Sequence, residues 1–399
     1  MNKEQVYAQD QAHYMPVFSR YSIVLSHGEG PYVFDIEGKK YLDFLAGIAV
    51  NILGHGHPGL VDAISSQAKK LIHCSNLYYT EHQAKLAARL ADMTGMDKVF
   101  LGNSGAEANE GAIKLARKYG KTLSPDRIEI ITAENSFHGR TYATLTATGQ
   151  PKYREGYEPL PGGFRYIHYN NIDSLKSIIS EKTCAVMLEP IQGEGGVNMP
   201  DPGYLQAVRD LCDQTGALLI FDEIQTGMGR TGKLLACQEF GVKPDIVTLA
   251  KGLGGGVPIG AFLTTNAIAS AFHAGDHGST FGGNPLAAAA ANAVLDAVVQ
   301  EDLAGNAAAM GCYFIDELKK LQIKYPGLIT EVRGCGLIIG MELTRPGREV
   351  VNSCLAEGAI INCTGGNVLR FVPPLTINRD HIDELIVILD KVLEEFANA

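Results

Sequence analysis

A lysine at the end of an apolar run is the first residue in this sequence that invites chemistry. Lys251 follows Ile246–Val247–Thr248–Leu249–Ala250 and precedes Gly252–Leu253–Gly254–Gly255–Gly256, so a buried strand would deliver its amine to a glycine-rich turn. Desolvation disfavours an ammonium and lowers its pKa, and a depressed pKa is what an imine-forming amine needs. Asp222 closes a second apolar run, 218–221, and stands 29 residues before Lys251 (251 − 222), room for one helical crossover. A buried carboxylate there can keep a pyridine nitrogen protonated, and Gln225 could donate to a phenolic oxygen of the same ring. Ser104–Gly105–Ala106, at a helix start, offers backbone N–H groups and the positive end of a helix dipole to a phosphate. Asn135–Ser136–Phe137–His138–Gly139–Arg140 adds an aromatic ring, Phe137, able to stack on a planar cofactor, and Arg140, able to bind a carboxylate bidentately.

Taken singly, each residue also has a plainer reading. Lys251 could be ion-paired or snorkelling, Asp222 a helix cap or core salt bridge, Ser104 a simple cap, Phe137 a core aromatic and Arg140 half of a surface ion pair. Two further stretches resemble sites but lack a part. Gly227 to Lys233 has the spacing of a phosphate-binding P-loop, yet Leu234 stands where a Ser or Thr should ligate magnesium. His55–Gly56–His57 lacks the i, i+4 spacing of a helical metal pair and has no third ligand nearby, so a loop role is expected and no metal site.

The elements that must position these residues are short apolar runs, at 128–132, 185–188, 218–221 and 246–250, each followed at once by polar or glycine-rich residues. Such continuous runs suit parallel strands buried on both faces. Residues 203–214 keep Leu205, Val208 and Leu211 on one helical face between two of those strands, which makes a βαβ unit. In an open α/β sheet ligands bind beyond the carboxyl ends of the strands, where Lys251, Asp222 and Glu189 fall. Further helices are expected at 60–72, 81–93 and 106–119, the last capped by Ser104. Residues 285–299 read as a buried alanine-rich helix. After Pro326 the pattern changes to short strands, 337–342 and 368–372, and a closing amphipathic helix, 380–396.

Composition bounds the function class. At 399 residues, 46% hydrophobic and 20% charged, the chain can bury more than one core and shows no mark of disorder. A net charge of −10 argues against a sequence-independent hold on nucleic acid or an anionic membrane. No apolar run reaches the roughly 20 residues of a membrane span, residues 1–20 lack a secretory h-region, and the eight cysteines form no Cys-x-x-Cys pair. A reduced, cytoplasmic enzyme acting on small molecules is the expectation.

All the pieces occur together, in an order that resembles the class III pyridoxal-phosphate-dependent aminotransferases. The resemblance rests on Asp43–Phe44–Leu45–Ala46–Gly47–Ile48–Ala49–Val50–Asn51 with His57–Pro58, and on Gly102–Asn103–Ser104–Gly105–Ala106–Glu107–Ala108–Asn109. It continues through Ser136–Phe137–His138–Gly139–Arg140, Leu188–Glu189–Pro190–Ile191–Gln192–Gly193–Glu194, Phe221–Asp222–Glu223–Ile224–Gln225–Thr226–Gly227, Leu249–Ala250–Lys251–Gly252 and Gly278–Ser279–Thr280–Phe281–Gly282–Gly283–Asn284–Pro285. These segments span nearly the whole chain. The resemblance implies an α/β protein of PLP-dependent transferase fold type I, like aspartate aminotransferase, with a mainly parallel central sheet and a smaller α+β domain. Residues 1–50 would join the small domain, 51–300 form the large cofactor-binding domain, and 301–399 complete the small one.

It further implies a cofactor, pyridoxal 5'-phosphate, held as a Schiff base by Lys251, which later shuttles the proton. Asp222 would pair with the pyridinium, Gln225 contact the phenolic oxygen and Phe137 stack on the ring. Ser104, Gly105 and Ala106 would bind the phosphate, and Thr280 would reach the phosphate of the neighbouring subunit in a homodimer with shared active sites. Arg140 would bind a substrate carboxylate, Ser279 lie beside the substrate, and Glu189 and Arg370 form a switching pair. Within the class, Gly47–Ile48–Ala49–Val50–Asn51 and Leu369–Arg370–Phe371–Val372–Pro373–Pro374–Leu375 are most similar to the acetylornithine branch. Ile48 stands where the ornithine branch usually has a tyrosine. Phe18 stands where a tyrosine is common, which puts one polar substrate contact in doubt. The activity implied is ping-pong transfer of the terminal amino group of N2-acetyl-L-ornithine to 2-oxoglutarate, in arginine biosynthesis. Ornithine, succinyl-ornithine, succinyl-diaminopimelate and 4-aminobutyrate are alternative donors. An aminomutase, or an NTPase at 227–233, is the reading of another kind.

Overall fold

The computed structural model describes residues 1–397. Among the described residues fifteen strands run in chain order, beginning with β1 (Leu25–Glu29), β2 (Tyr32–Asp35), β3 (Lys40–Asp43), β4 (Lys98–Gly102), β5 (Glu129–Ala133), β6 (Phe164–Ile167), β7 (Thr183–Leu188) and β8 (Leu218–Asp222). They continue as β9 (Ile246–Leu249), β10 (Gly260–Thr264), β11 (Ile329–Cys335), β12 (Ile338–Leu343), β13 (Ala359–Ile360), β14 (Asn362–Thr364) and β15 (Val368–Phe371). Seven of them make the central sheet, in the order β4-β10-β9-β8-β7-β5-β6. Neighbours are parallel from β9 to β6, while β10 is antiparallel to both β9 and β4.

The unbroken apolar runs explain the centre of this sheet. Every residue of β7, β8 and β9 is buried, as strands covered on both faces must be. One cover is the helix Gly105–Leu123, whose Ala108, Ala112, Leu115 and Ala116 are buried and whose small residues let it lie close to the sheet. At Gly111 a Cβ would stand 2.3 Å from the Phe262 ring on β10, so the approach itself demands glycine. The alanine-rich helix Pro285–Gln300 is buried along most of its length, and Asn292 within it donates to its own helix and to the His82 carbonyl.

Two four-stranded sheets flank the centre, β1-β2-β3-β13 and β11-β12-β15-β14. In the first, β13 lies parallel to β3 with Ala359 opposite Leu42, so residues from the first fifty pair with residues from the last fifty. In the second, β15 carries Arg370 opposite Gly340 of β12 and Asn362 of β14.

The crossover from β8 to β9 departs from the helical one expected. It holds a four-residue helix, Ala236–Glu239, and is otherwise irregular. The cause is Glu223, a buried carboxylate that accepts from Thr226 Oγ1 (2.6 Å), Ala236 N (2.9 Å) and Cys237 N (2.7 Å) and organises the loop about itself. The P-loop-like stretch lies inside this crossover. Its Arg230 is 1% exposed and donates to the carbonyls of Leu337 and Pro373, making it a strut. The histidine pair is likewise divided: His55 Nε2 lies 2.9 Å from Asp43 Oδ2, and His57 Nε2 lies 2.9 Å from Glu301 Oε1.

Candidate active site

The carboxyl ends of β7, β8 and β9, with the N-terminus of the helix Gly105–Leu123, enclose a cavity of about 450 Å³. Asp222, the last residue of β8, is 3% exposed. Its Oδ2 accepts from Asn109 Nδ2 and His138 Nδ1, both at 2.8 Å, and its Oδ1 from the Ile224 N–H at 3.1 Å. Three donors fix the carboxylate's direction. Asn109 lies four residues into the helix that starts at Gly105, one turn below its N-terminus, so one helix supplies both ends of the site. Asn109 and His138 were not singled out from sequence; a buried polar residue on the sheet-facing side of a helix was the available signal for Asn109.

Lys251 follows β9 and opens a tight turn, Lys251–Gly254, with a left-handed φ of 43°. For a non-glycine residue that conformation is costly and persists only where the surroundings impose it. Burial lowers its amine's pKa, and nearby Arg370 adds to the effect; Glu194, Asp222 and Glu189 act the other way without overcoming it. Opposite, Ser104 caps the helix: its Oγ accepts from Glu107 N at 3.2 Å, and the Glu107 carboxylate returns to Asn103 N and Nδ2, both at 2.8 Å. The first N–H groups of a helix have no intrahelical partner, so those of Gly105 and Ala106 are available to an anion in the cavity they line. A Cβ on Gly105 would stand 2.8 Å from Ile224 Cδ1, so this helix end packs closely against the side chain that follows Asp222 and Glu223.

Phe137 and Arg140 come from the segment after β5. Phe137 packs edge-on to Tyr153 at 5.9 Å, and the Arg140 guanidinium lies 3.9 Å from the Tyr153 ring centroid, exposed at the mouth. Glu189 follows β7 and accepts from Phe137 N at 3.0 Å and Gly193 N at 3.3 Å. Burial pushes its carboxyl up to about 7, with Asp222 adding to the rise and His138 opposing it.

Arg370 is fully buried on β15, and its partner differs from the one expected. Nη1 donates to Glu194 Oε1 at 2.6 Å and to Gln225 Oε1 at 3.1 Å, while Nε donates to Asn362 Oδ1 at 3.2 Å. Glu189 is occupied by backbone N–H groups, so Arg370 pairs instead with Glu194, which lines the cavity. Burial raises the Glu194 pKa, but Arg370 and then Lys251 outweigh it and hold the carboxyl below its usual value.

Ser279 and Thr280 stand at the edge. Ser279 Oγ accepts from Asn103 Nδ2 at 3.0 Å, which ties it to the cavity wall, whereas Thr280 is exposed and outside the cavity lining. Phe18 is 64% and Ile48 40% exposed, and neither lines the cavity, although Val50 does.

The donor set fits pyridoxal 5'-phosphate. A fixed carboxylate suits a ring nitrogen, a buried amine a carbonyl, and a helix N-terminus a phosphate, and all three open on one cavity. Comparison with known proteins agrees. Residues 14–393 match the family model described as Aminotransferase class-III. The chain is 52% identical to the acetylornithine aminotransferase of Methanocaldococcus jannaschii over 399 residues, 99% of each chain. It is also 52% identical to the acetylornithine aminotransferase of Caldanaerobacter subterraneus over 97% of this chain and 98% of that one. Among solved structures, the ornithine aminotransferase of Toxoplasma gondii superposes with a TM-score of 0.96 at 35% identity, covering 100% of this chain and 96% of that chain. The acetylornithine aminotransferase of Elizabethkingia anophelis superposes with a TM-score of 0.89 at 37% identity, covering 99% and 100%. Another structure of the Toxoplasma enzyme is described as having partial occupancy of PLP at its active site. The chain belongs to the class III aminotransferases, whose cofactor is pyridoxal 5'-phosphate.

Proposed function

We propose that the chain transfers the terminal amino group of N2-acetyl-L-ornithine to 2-oxoglutarate, giving N-acetylglutamate 5-semialdehyde and glutamate in two half-reactions, a step of arginine biosynthesis. Relatives named acetylornithine aminotransferase, 52% and 49% identical over nearly the full chain, support this donor. The observation that carries the two-substrate mechanism is the ion pair between the fully buried Arg370 and Glu194, which lines the lysine-bearing cavity. A terminal amine carries no carboxylate near its reacting carbon, whereas 2-oxoglutarate carries one. Glu194 neutralises Arg370 for the first substrate and moves aside for the second, so one site serves both.

Pyridoxal phosphate, when bound, supplies an electron-poor ring that takes up the charge left as a C–H proton departs. The chain's residues do the rest. Lys251 would hold the cofactor, and its amine is placed to accept and return a proton; its lowered pKa leaves more of it unprotonated for the task. Asp222, held by Asn109 and His138, would keep the ring nitrogen protonated. Gln225 would donate to the phenolic oxygen, Phe137 would cover the ring, and Ser104, Gly105 and Ala106 would take the phosphate. Arg140 at the mouth takes the α-carboxylate of the donor, with Ser279 beside it. Glu189 anchors the backbone of Phe137, a positioning role in place of the switching one.

The domain division proposed is 1–50 with 301–399 against 51–300, supported by the pairing of β13 with β3. A homodimer in which Thr280 reaches the neighbouring subunit's phosphate is supported by the exposure of Thr280 and of the nearby Leu77, Tyr78, Tyr79 and Phe281. A cytoplasmic location agrees with the small-molecule substrates; among the described residues no helix is long and apolar enough to cross a membrane.

The test is to add N-acetylornithine, ornithine, succinyl-ornithine and 4-aminobutyrate separately to the cofactor-loaded protein and follow its visible absorbance, with Lys251→Ala as control. Loss of the band with N-acetylornithine, restored by 2-oxoglutarate, is the expected result. Loss with another amine alone would overturn the donor, and no visible band in the loaded wild type would overturn the mechanism.

A further inference from the structure

The Arg370–Glu194 pair is held from outside the cavity. Glu194 sits in the loop after β7, where Gln192 and Asn198 bridge to each other. Its own carbonyl accepts from Thr364 Oγ1. Two residues on, the Gly196 carbonyl accepts from Arg333 Nη2 at 2.7 Å and Nε at 3.2 Å, and the Val197 carbonyl accepts from the same Nε at 3.1 Å. Arg333 comes from β11, and its third nitrogen is fixed in turn. Nη1 lies 2.5 Å from Glu331 Oε2 and 2.6 Å from Glu342 Oε2, so the guanidinium is a rigid cross-piece between the β11–β12 pair and this loop.

The loop needs such support. Val197 has a φ of 52°, a left-handed conformation that a β-branched residue adopts only when its surroundings impose it, and Gly196 before it has a φ of 120°. The clamp opposes relaxation of these two peptides, and Glu194 lies two residues before Gly196.

We propose that Arg333 is a positioning residue for the Arg370–Glu194 pair: by clamping the Gly196 and Val197 carbonyls it holds Glu194 against Arg370 and so sets the balance between the two substrates. The inference rests on the switching function proposed for that pair. Arg333 does not line the cavity, and its removal biases the site towards the state in which Arg370 is free. The half-reaction with a terminal amine therefore suffers, and the one with a dicarboxylate does not.

The experiment measures both half-reactions of the holoenzyme separately, with N-acetylornithine and with glutamate, for the wild type, Arg333→Gln, Arg333→Lys and Glu194→Ala. For Arg333→Gln, kcat/KM with N-acetylornithine is expected to fall about tenfold while that with glutamate stays within about twofold, and Arg333→Lys is expected to fall between. Glu194→Ala is expected to shift the same ratio further. If Glu194→Ala shifts the ratio and Arg333→Gln leaves it unchanged or lowers both half-reactions equally, the positioning role is wrong and the switch stands. If Glu194→Ala itself leaves the ratio unchanged, the switch fails and the positioning role with it. Should Arg333→Gln fail to fold because Glu331 and Glu342 are left facing each other, the triple variant with Glu331→Gln and Glu342→Gln removes that repulsion and reads the same ratio.

Discussion

Glu189 shows how a single buried carboxylate constrains both stability and chemistry. Burial first, and Asp222 second, push its pKa up to about 7 against the pull of His138 and of two backbone N–H groups. Because the folded-state value lies above that of the unfolded chain, the protonated form is favoured by folding. That contribution is complete below the ordinary carboxylate range and is lost as pH rises through about 7. Glu189→Gln keeps an acceptor for the Phe137 N–H but has no charge to bury. Its stability relative to wild type is therefore expected to improve by about 1–3 kcal/mol between pH 5 and pH 8, read from denaturant curves at the two pH values. An unchanged difference would show that Glu189 is ionised at little cost. Asp222 is constrained in another way: three donors fix the direction of its carboxylate. Asp222→Asn preserves the shape but cannot hold a ring nitrogen protonated, so turnover should drop by about a hundredfold or more while the fold survives. Rapid-mixing kinetics of the amine half-reaction would measure it.

Between residues and fold, the decisive joint is where β10 meets the helix Gly105–Leu123. A Cβ on Gly260 would lie 2.2 Å from the Ser104 carbonyl oxygen, a backbone atom that cannot swing away. Gly260→Ala should therefore cost about 1–3 kcal/mol and also weaken cofactor binding, because the helix end that faces the cavity has to move. Ser104→Ala removes the cap and one of the three groups proposed for the phosphate, and without cofactor should cost about 1 kcal/mol. Thermal denaturation with and without cofactor separates the two, since the glycine variant, which displaces the whole helix end, is expected to lose the larger share of the cofactor's stabilisation. This joint also marks how far the sequence could be read. Ser104 as cap, and β7, β8 and β9 as buried parallel strands, were legible because apolar runs and a capping residue leave local signatures. The antiparallel β10 was not, since Gly260–Thr264 carries no mark of direction. Nor was the partner of Arg370: Glu189 and Glu194 lie in one loop with glycines at 193, 195 and 196, and loop backbone has no period from which to tell which carboxylate turns inward. The β8–β9 crossover was misread as helical because the buried Glu223 that organises it resembles, in sequence, any polar residue after a strand.

At the scale of the whole molecule, the outlying position of Thr280 becomes an argument. Thr280 is exposed on a loop whose neighbours are held firmly: Asn76 Nδ2 donates to the carbonyls of Ser279 and Gly282 at 3.0 Å each, and Ser279 Oγ accepts from Gly282 N at 3.0 Å. A rigid loop that presents a hydroxyl to solvent, beside Phe281 at 60% exposure and Leu77 at 84%, is suited to a neighbouring copy of the chain. If Thr280 completes the partner's phosphate site, a carboxylate placed there repels that phosphate. Thr280→Glu should then abolish cofactor retention while the protein remains dimeric by sedimentation. Mixing provides the sharper measurement. In a hybrid of Lys251→Ala and Thr280→Glu subunits, the site with an intact Lys251 receives a wild-type Thr280 from its partner, and the other site carries both lesions. Random reassembly of equal amounts makes about half of the dimers hybrids with one working site in two, so about a quarter of wild-type activity should return from two inactive parents. Recovery at that level places the hydroxyl across the interface. Two parents that stay inactive after verified subunit exchange would mean that Thr280 serves its own chain, and each active site would then be complete within one subunit.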